Sequence, residues 1–394
     1  MRRLLFLGSV AALGPLSTDS YLAAFPVMRT ELGTTSAMVQ ATLTAFLIGA
    51  AIGPVVMGPL SDLIGRRVPF VGSLAALAVT SWLAAAAPGI EALIVIRLFQ
   101  GFFGMSSSIL SQAVLRDMTP DGDLMRSLSR MRMVSLSAPI VAPGLGVVLL
   151  QWTGWRGIFV LTGAVAATLA VLASRLPQAL YRGPAADTRR VFRQSMASYR
   201  FLFGDQRVVL GNIAAASSFS ALMLYISNGS LVFRDTFGVR PSEFGVIFTT
   251  NAVCMLIGSQ LAPTLVARAG STRVYLGAGL LAAFGMTGML SAGIVGVQAR
   301  GVFFTGLGVS VFAFGIALIL PTKELMEIHP ERAGAGAALL RSGNMLTAAA
   351  AAFVLAHFAT ETVVPMALGM LLLEAIAMAS WIRRMRLQGS TVAN

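Results

Sequence analysis

Apolar stretches of close to 20 residues, separated by short polar breaks, recur along almost the whole 394-residue chain. Each helical residue rises about 1.5 Å, so about 20 of them cross a hydrocarbon core about 30 Å thick. Twelve membrane spans are predicted, near 4–25, 38–60, 69–87, 91–112, 133–151, 156–174, 207–232, 242–266, 274–296, 301–320, 333–356 and 363–382. The breaks fall where glycine, proline and charge cluster, as at Pro88-Gly89, Thr119-Pro120-Asp121-Gly122 and His329-Pro330. The first, seventh and eleventh stretches are the least clean, each holding polar residues. The first also follows Arg2-Arg3, as a cleaved leader would. It stays apolar past Asp19 to Phe25 and lacks a small-x-small site before Asp19, so it reads as a retained helix. Cleavage would leave eleven spans and put the termini on opposite sides.

Composition makes lipid the solvent. The chain is 56% apolar and 11% charged, with mean hydropathy +0.79, where a soluble domain carries about a quarter charged residues. A single cysteine, Cys254, excludes an intramolecular disulfide, and two histidines, His329 and His357, give no His-rich metal site. Cofactors are therefore expected to be none. The net charge of +13, from 29 basic and 16 acidic residues, would point to nucleic acid in a soluble protein. Position explains it better. With both termini inside, only Arg29, Arg156, Arg234, Arg240 and Arg300 fall in outer loops, and Arg97 and Arg341 lie within spans. All other basic residues are cytoplasmic, as the positive-inside rule demands, where they also meet anionic lipid. No nucleic-acid partner is needed.

The longest polar segment, 175–206, carries Arg182, Arg189, Arg190, Arg193 and Arg200. It divides the chain into a six-helix bundle at 1–174, a cytoplasmic linker at 175–206, and a second bundle with a short cytoplasmic tail at 207–394. A shift of 205 positions lays Ile52-Gly53 on Ile257-Gly258, Leu60 on Leu265 and Gly65 on Gly270. The predicted fold class is an all-α polytopic membrane protein of twelve transmembrane helices in two six-helix pseudo-repeats, both termini cytoplasmic. Parallel repeats of this kind are a transporter architecture.

Between the second and third spans the sequence reads Gly58-Pro59-Leu60-Ser61-Asp62-Leu63-Ile64-Gly65-Arg66-Arg67. Glycine permits a tight turn and close helix approach. An acid at a helix C-terminus needs a compensating cation, which Arg66 and Arg67 supply, so the segment reads as an electrostatic latch. It resembles the signature loop of the major facilitator superfamily. Thr18-Asp19-Ser20-Tyr21-Leu22 with Pro26, Arg97-Leu98-Phe99-Gln100-Gly101, Arg116-Asp117, Ala138-Pro139-Ile140-Val141-Ala142-Pro143-Gly144, and Gly154-Trp155-Arg156 with Phe159 resemble the twelve-span drug/proton antiporters of the Bcr/CflA type. Tyr225-Ile226-Ser227, Phe237-Gly238 and Phe244-Gly245 echo that family's seventh and eighth helices. The resemblance implies a cytoplasmic gate at Gly58, Asp62, Gly65, Arg66, Arg67 and Asp117. It also implies an antiporter motif at Pro139, Pro143 and Gly144, at the interface of the halves and linked to exchange over uniport. The second half departs from the pattern, with Ala267 in the place of Asp62 and Thr272 in the place of Arg67.

Ionisable groups inside spans are costly and tend to be functional. Asp19 and Arg97 each lie about 9 Å below the outer surface by helical rise, and the resemblance puts their helices together. A direct or water-bridged Asp19–Arg97 contact is expected, with protonation of Asp19 releasing Arg97 as the coupling step. Arg341 and Glu374 each lie about 12 Å from the inner ends of their helices, and are expected to form a stabilising pair. Candidate cavity residues are Tyr21, Met105, Ser108, Tyr225, Asn228, Phe304 and Phe312. The function expected is proton-driven export of small amphiphilic drugs or antibiotics by a monomer in the inner membrane, its partners being the drug, protons and membrane lipid. A metabolite exporter or uptake symporter of the same fold is the alternative. A polytopic membrane enzyme fits less well. The only close acidic pair, Asp121 and Asp123, is followed by Arg126, Arg130 and Arg132 and reads as a solvated loop, and there is no phosphate-binding loop for direct ATP coupling.

Overall fold

A computed structural model describes residues 2–119, 124–177, 188–329, 332–358 and 362–392. Asp121, Asp123, Arg182 and Pro330 lie outside them. The described residues form fourteen α-helices, with no strand among them. The chain divides into two compact units, Met1–Ser195 and Met196–Asn394.

The N-terminal unit contains α1 (Arg2–Asp19), α2 (Phe25–Glu31), α3 (Ser36–Ile64), α4 (Arg67–Ala85), α5 (Ile90–Met118) and α6 (Leu124–Ser174). Helix α3 packs on α5, the first arm of α6 on α1 and its second arm on α4. Their shared apolar seam includes Leu7, Val10, Phe70, Leu74, Leu110 and Val114. Thr35 caps α3 by accepting a hydrogen bond from the Met38 amide. Gly65 ends it at φ 90° and ψ 154°, a conformation only glycine adopts without strain.

Helix α7 (Thr188–Gly204) spans the division between the units. The C-terminal unit then holds α8 (Gln206–Phe237), α9 (Pro241–Ala269), α10 (Ser271–Val295), α11 (Arg300–Ala317), α12 (Ile319–Ile328), α13 (Ala333–His357) and α14 (Val364–Val392). Helix α10 packs on α11, α9 on α11, and α8 on both α13 and α14. Tyr275, Ile316, Leu320 and Trp381 anchor one buried seam. Leu202, Val208, Leu325 and Leu340 form another, through which the end of α7 joins this unit.

Ten helices are long and apolar enough to cross a membrane among the described residues. They account for eleven of the twelve predicted spans once one helix is divided. Met133–Ser174 is continuous as one 42-residue candidate, but Gly154 breaks its helical path at φ 69° and ψ −177°. That break falls between the fifth and sixth predicted spans. The first predicted span is not a single helix. Helix α1 stops at Asp19, a short 3-10 turn covers Leu22–Ala24, and Pro26 helps to start α2. The small polar run Ser17-Thr18-Asp19-Ser20 competes for backbone hydrogen bonds there. Half of the expected linker is also helical, as α7. Many large apolar side chains remain exposed on outer faces, Phe284, Ile294 and Val68 among them, as a lipid-facing surface requires.

Candidate functional site

Arg97 lies two turns into α5 with no exposed surface. Its Nη1 donates to the Ser17 carbonyl at 3.2 Å and to Gln100 Oε1 at 2.6 Å. Ser17 is among the last residues of α1, whose carbonyls lose their helical partners and carry the negative end of the helix dipole. The guanidinium faces are covered by aromatic rings, with Cζ 4.2 Å from the Tyr21 centroid and 4.4 Å from that of Phe46. Such stacking is worth about 2 kcal/mol when desolvated. Gln100 Nε2 passes the network on to Ser81 Oγ at 2.8 Å, and Tyr21 and Thr42 share a hydroxyl hydrogen bond at 3.2 Å. Arg97 Nε and Nη2 make no hydrogen bond.

Asp19 closes α1 two residues beyond Ser17 and is 9% exposed. Its Oδ1 accepts from Thr18 Oγ1 at 2.9 Å. The expected direct pair with Arg97 is not formed. The guanidinium's bonded edge is taken by a helix-end carbonyl and Gln100, and its faces are taken by rings. Gln100 could have been read from sequence, standing one turn after Arg97 on the same helix face. Phe46 and Ser81 gave no such signal, because they approach from other helices.

At the other end of α3, Arg66 is buried and gathers three partners. Its Nη2 lies 2.6 Å from Asp62, its Nε 3.0 Å from Asp117, and its Nη1 donates to Ser61 Oγ at 2.5 Å. Arg67 donates to the Ser174 carbonyl at 2.7 Å. The gate residues Asp62, Gly65, Arg66 and Asp117 thus meet, whereas Arg67 turns to the end of α6. Gly58 does not serve close packing: a Cβ there would touch nothing within 4 Å. In α6, Pro139 and Pro143 lie inside the helix, and Gly144 likewise faces open space. The close approach is at Gly146, where a Cβ would overlap the Ser20 carbonyl.

In the C-terminal unit, Glu374 is 1% exposed and its Oε2 accepts from Ser218 Oγ at 2.9 Å. The expected pair with Arg341 is not formed: α14 packs on α8 and α10 and barely touches α13, which carries Arg341. The buried cation of this unit is Arg384, 2.5 Å from Glu324 and 4.7 Å from the Trp381 ring. Where α7 meets α8, Asp205 caps α8 by accepting from the Arg207 amide and lies 3.0 Å from His329 Nε2. Burial alone would raise the Asp205 carboxyl. Hydrogen bonds from Arg207 and His329, with the Arg207 charge, outweigh it and hold the group below its ordinary value.

Of the cavity candidates, Tyr21 belongs to the Arg97 cluster. Tyr225 stacks on Phe233 and Phe248 and accepts from Asn251 at 3.1 Å. Phe304 joins the same ring cluster through Phe233, 5.2 Å between centroids. Asn228 is buried and bonds to Leu224 and Ser227 through Nδ2, leaving Oδ1 without a partner. Ser108 is buried, and Met105 and Phe312 are half-buried.

A model of the Major Facilitator Superfamily matches residues 7–352. The chain is 32% identical over 259 residues to the uncharacterized MFS-type transporter YdgK of Bacillus subtilis, covering 64% of this chain and 63% of that protein. It is 29% identical over 375 residues to the bicyclomycin resistance protein homolog of Haemophilus influenzae, covering 92% and 91%. The nucleoside transporter NupG superposes with TM-score 0.73 at 15% identity, over 98% of this chain and 99% of that one. At that identity the likeness is one of fold.

Proposed function

The chain belongs to the Major Facilitator Superfamily, a family of multi-pass membrane transporters, and from that premise we propose that it exports small amphiphilic antimicrobials in exchange for protons. The substrate class rests on relatives whose names carry drug resistance, among them the Haemophilus protein, a chloramphenicol resistance protein of Pseudomonas aeruginosa and the multidrug transporter MdfA of Escherichia coli. Twelve spans with both termini cytoplasmic complete the reading.

The observation that carries it is Asp19, a buried carboxyl with no cation partner among the described residues, two residues beyond the carbonyl that Arg97 holds. A neutral Asp19 is compatible with the arrangement described, in which Arg97 serves the end of α1. An ionised Asp19 adds a negative charge to a helix terminus that is already negative and competes with Ser17 and Gln100 for the guanidinium. Loss of the proton therefore favours a different placement of α1 against α5, and proton binding and helix packing become one equilibrium. Drug binding to the alternative packing would then displace the proton.

Asp19→Asn is expected to reduce proton-driven drug accumulation in inside-out vesicles to background, with the protein present at its usual level. Unchanged accumulation would overturn the reading.

A further inference from the structure

We propose that Glu374 is a proton-binding site of the C-terminal unit, held as a neutral acid in the arrangement described. The site lies in the apolar interior of that unit, where α14 meets α8 and α10. Hydrogen-bond capacity decides its state. An ionised carboxylate needs several donors or a cation, and a buried one with neither is strongly disfavoured. Glu374 receives a single hydrogen bond, from the Ser218 hydroxyl, and its Oε1 has no partner.

Among the described residues no neighbouring element gives Glu374 a second hydrogen bond or an ion pair. From α8 the facing polar group is Ser218. From α10 it is the Tyr275 hydroxyl, which lies 3.2 Å from Ser218 Oγ and 3.4 Å from the Ala214 carbonyl, so it serves those groups. The nearest buried cation on α14 itself, Arg384, is committed to Glu324 of α12, and Arg383 and Arg386 are exposed. Arg273, at the start of α10, is exposed, and Arg341 of α13 makes no ion pair with Glu374. Gly279 of α10 opens the space in which Oε1 sits: a Cβ there would come within 3.1 Å of Oε1 and 2.9 Å of Met378. A proton on Oε1 supplies what the surroundings withhold.

Proton binding at Glu374 stands on this geometry alone, and only its use in transport rests on the function proposed above. If the chain is proton-driven, each unit has its own titrating acid, Asp19 in one and Glu374 in the other.

Infrared difference spectra of the full-length protein in lipid nanodiscs, between acidic and alkaline buffer, test the site. Glu374→Gln is expected to remove one band in the protonated-carboxyl stretching region. Ser218→Ala is expected to shift the frequency of that same band, by deleting its hydrogen-bond partner. Asp19→Asn is expected to leave that band in place and remove another. A Glu374→Gln spectrum identical to the unsubstituted protein overturns the proposal. Should that variant fail to fold, the absence of any carboxyl band moved by Ser218→Ala overturns it. An unchanged spectrum for Asp19→Asn counts against the Asp19 reading and leaves Glu374 standing.

Discussion

The passage from α3 into α4 and the passage from α9 into α10 use one backbone and two different chemistries. Helices α3 and α9 are each 29 residues long, and both end in a glycine of nearly the same conformation, Gly65 at φ 90° and ψ 154°, Gly270 at φ 79° and ψ 153°. Higher in the same helices, Gly53 abuts the Phe102 carbonyl of α5 and Gly258 abuts the Phe312 carbonyl of α11. The charges do not follow. Asp62 and Arg66 of the first passage correspond to Ala267 and Ser271 of the second, and only the first is tied to another helix by a buried arginine. Backbone contacts between helices set the repeat, whereas ion pairs are placed independently in each half. The second half instead has the ion pair of Glu324 with Arg384 and a hydrogen bond between Asp205 and His329.

The two passages should differ most at the arginine. Arg66→Ala removes the cation bonded to the 9%-exposed Asp117 and should cost about 3 kcal/mol, the lower end of the range for a broken buried pair. The contribution of the 40%-exposed Asp62 is discounted for screening. Ser271→Ala, at the corresponding position, should change stability by less than about 0.5 kcal/mol. Unfolding midpoints of the two variants in detergent check the asymmetry. Symmetry should return at the glycines. Gly53→Ala and Gly258→Ala should each destabilise by about 1–3 kcal/mol through overpacking, while Gly58→Ala, facing open space, should be neutral or stabilising. A smaller difference lies in pH. Because Asp205 is held below its ordinary value, it adds stability that is present above the carboxylate's unfolded value of about 3.9 and is lost as pH falls through the lower folded value. The unfolding midpoint of the intact protein should therefore fall in acid, and Asp205→Asn should flatten that part of the profile.

Much of this organisation was legible in the residues. Hydropathy located the helical segments because lipid forces backbone polar groups to be satisfied within each segment, and Gly154 was readable as a break between two of them. The latch was legible because Asp62 and Arg66 are one turn apart in sequence, and the family resemblance added Asp117. The pairings that differ from expectation share a physical cause. Depth along a helix could be counted, but which way a side chain points depends on helices packed from elsewhere. Asp19 with Arg97 and Arg341 with Glu374 each matched in depth, and neither forms a direct pair. Arg97 found rings from α3 and the end of α1, and Glu374 found a hydroxyl of α8, partners that spacing along one helix does not reveal. The end of α1 at Asp19 was likewise hidden, because the apolar run continues past it to Phe25.

Gly146 gives α6 an unusual bearing. Its missing side chain lets the helix backbone rest directly on the Ser20 carbonyl, one residue beyond Asp19, with no flexible chain between to absorb movement. Pro139 and Pro143 lie within two turns on the same helix and weaken its hydrogen-bond ladder. A bend there works like a lever whose fulcrum touches the acid-bearing turn, so tilting α6 displaces that turn mechanically as well as electrically.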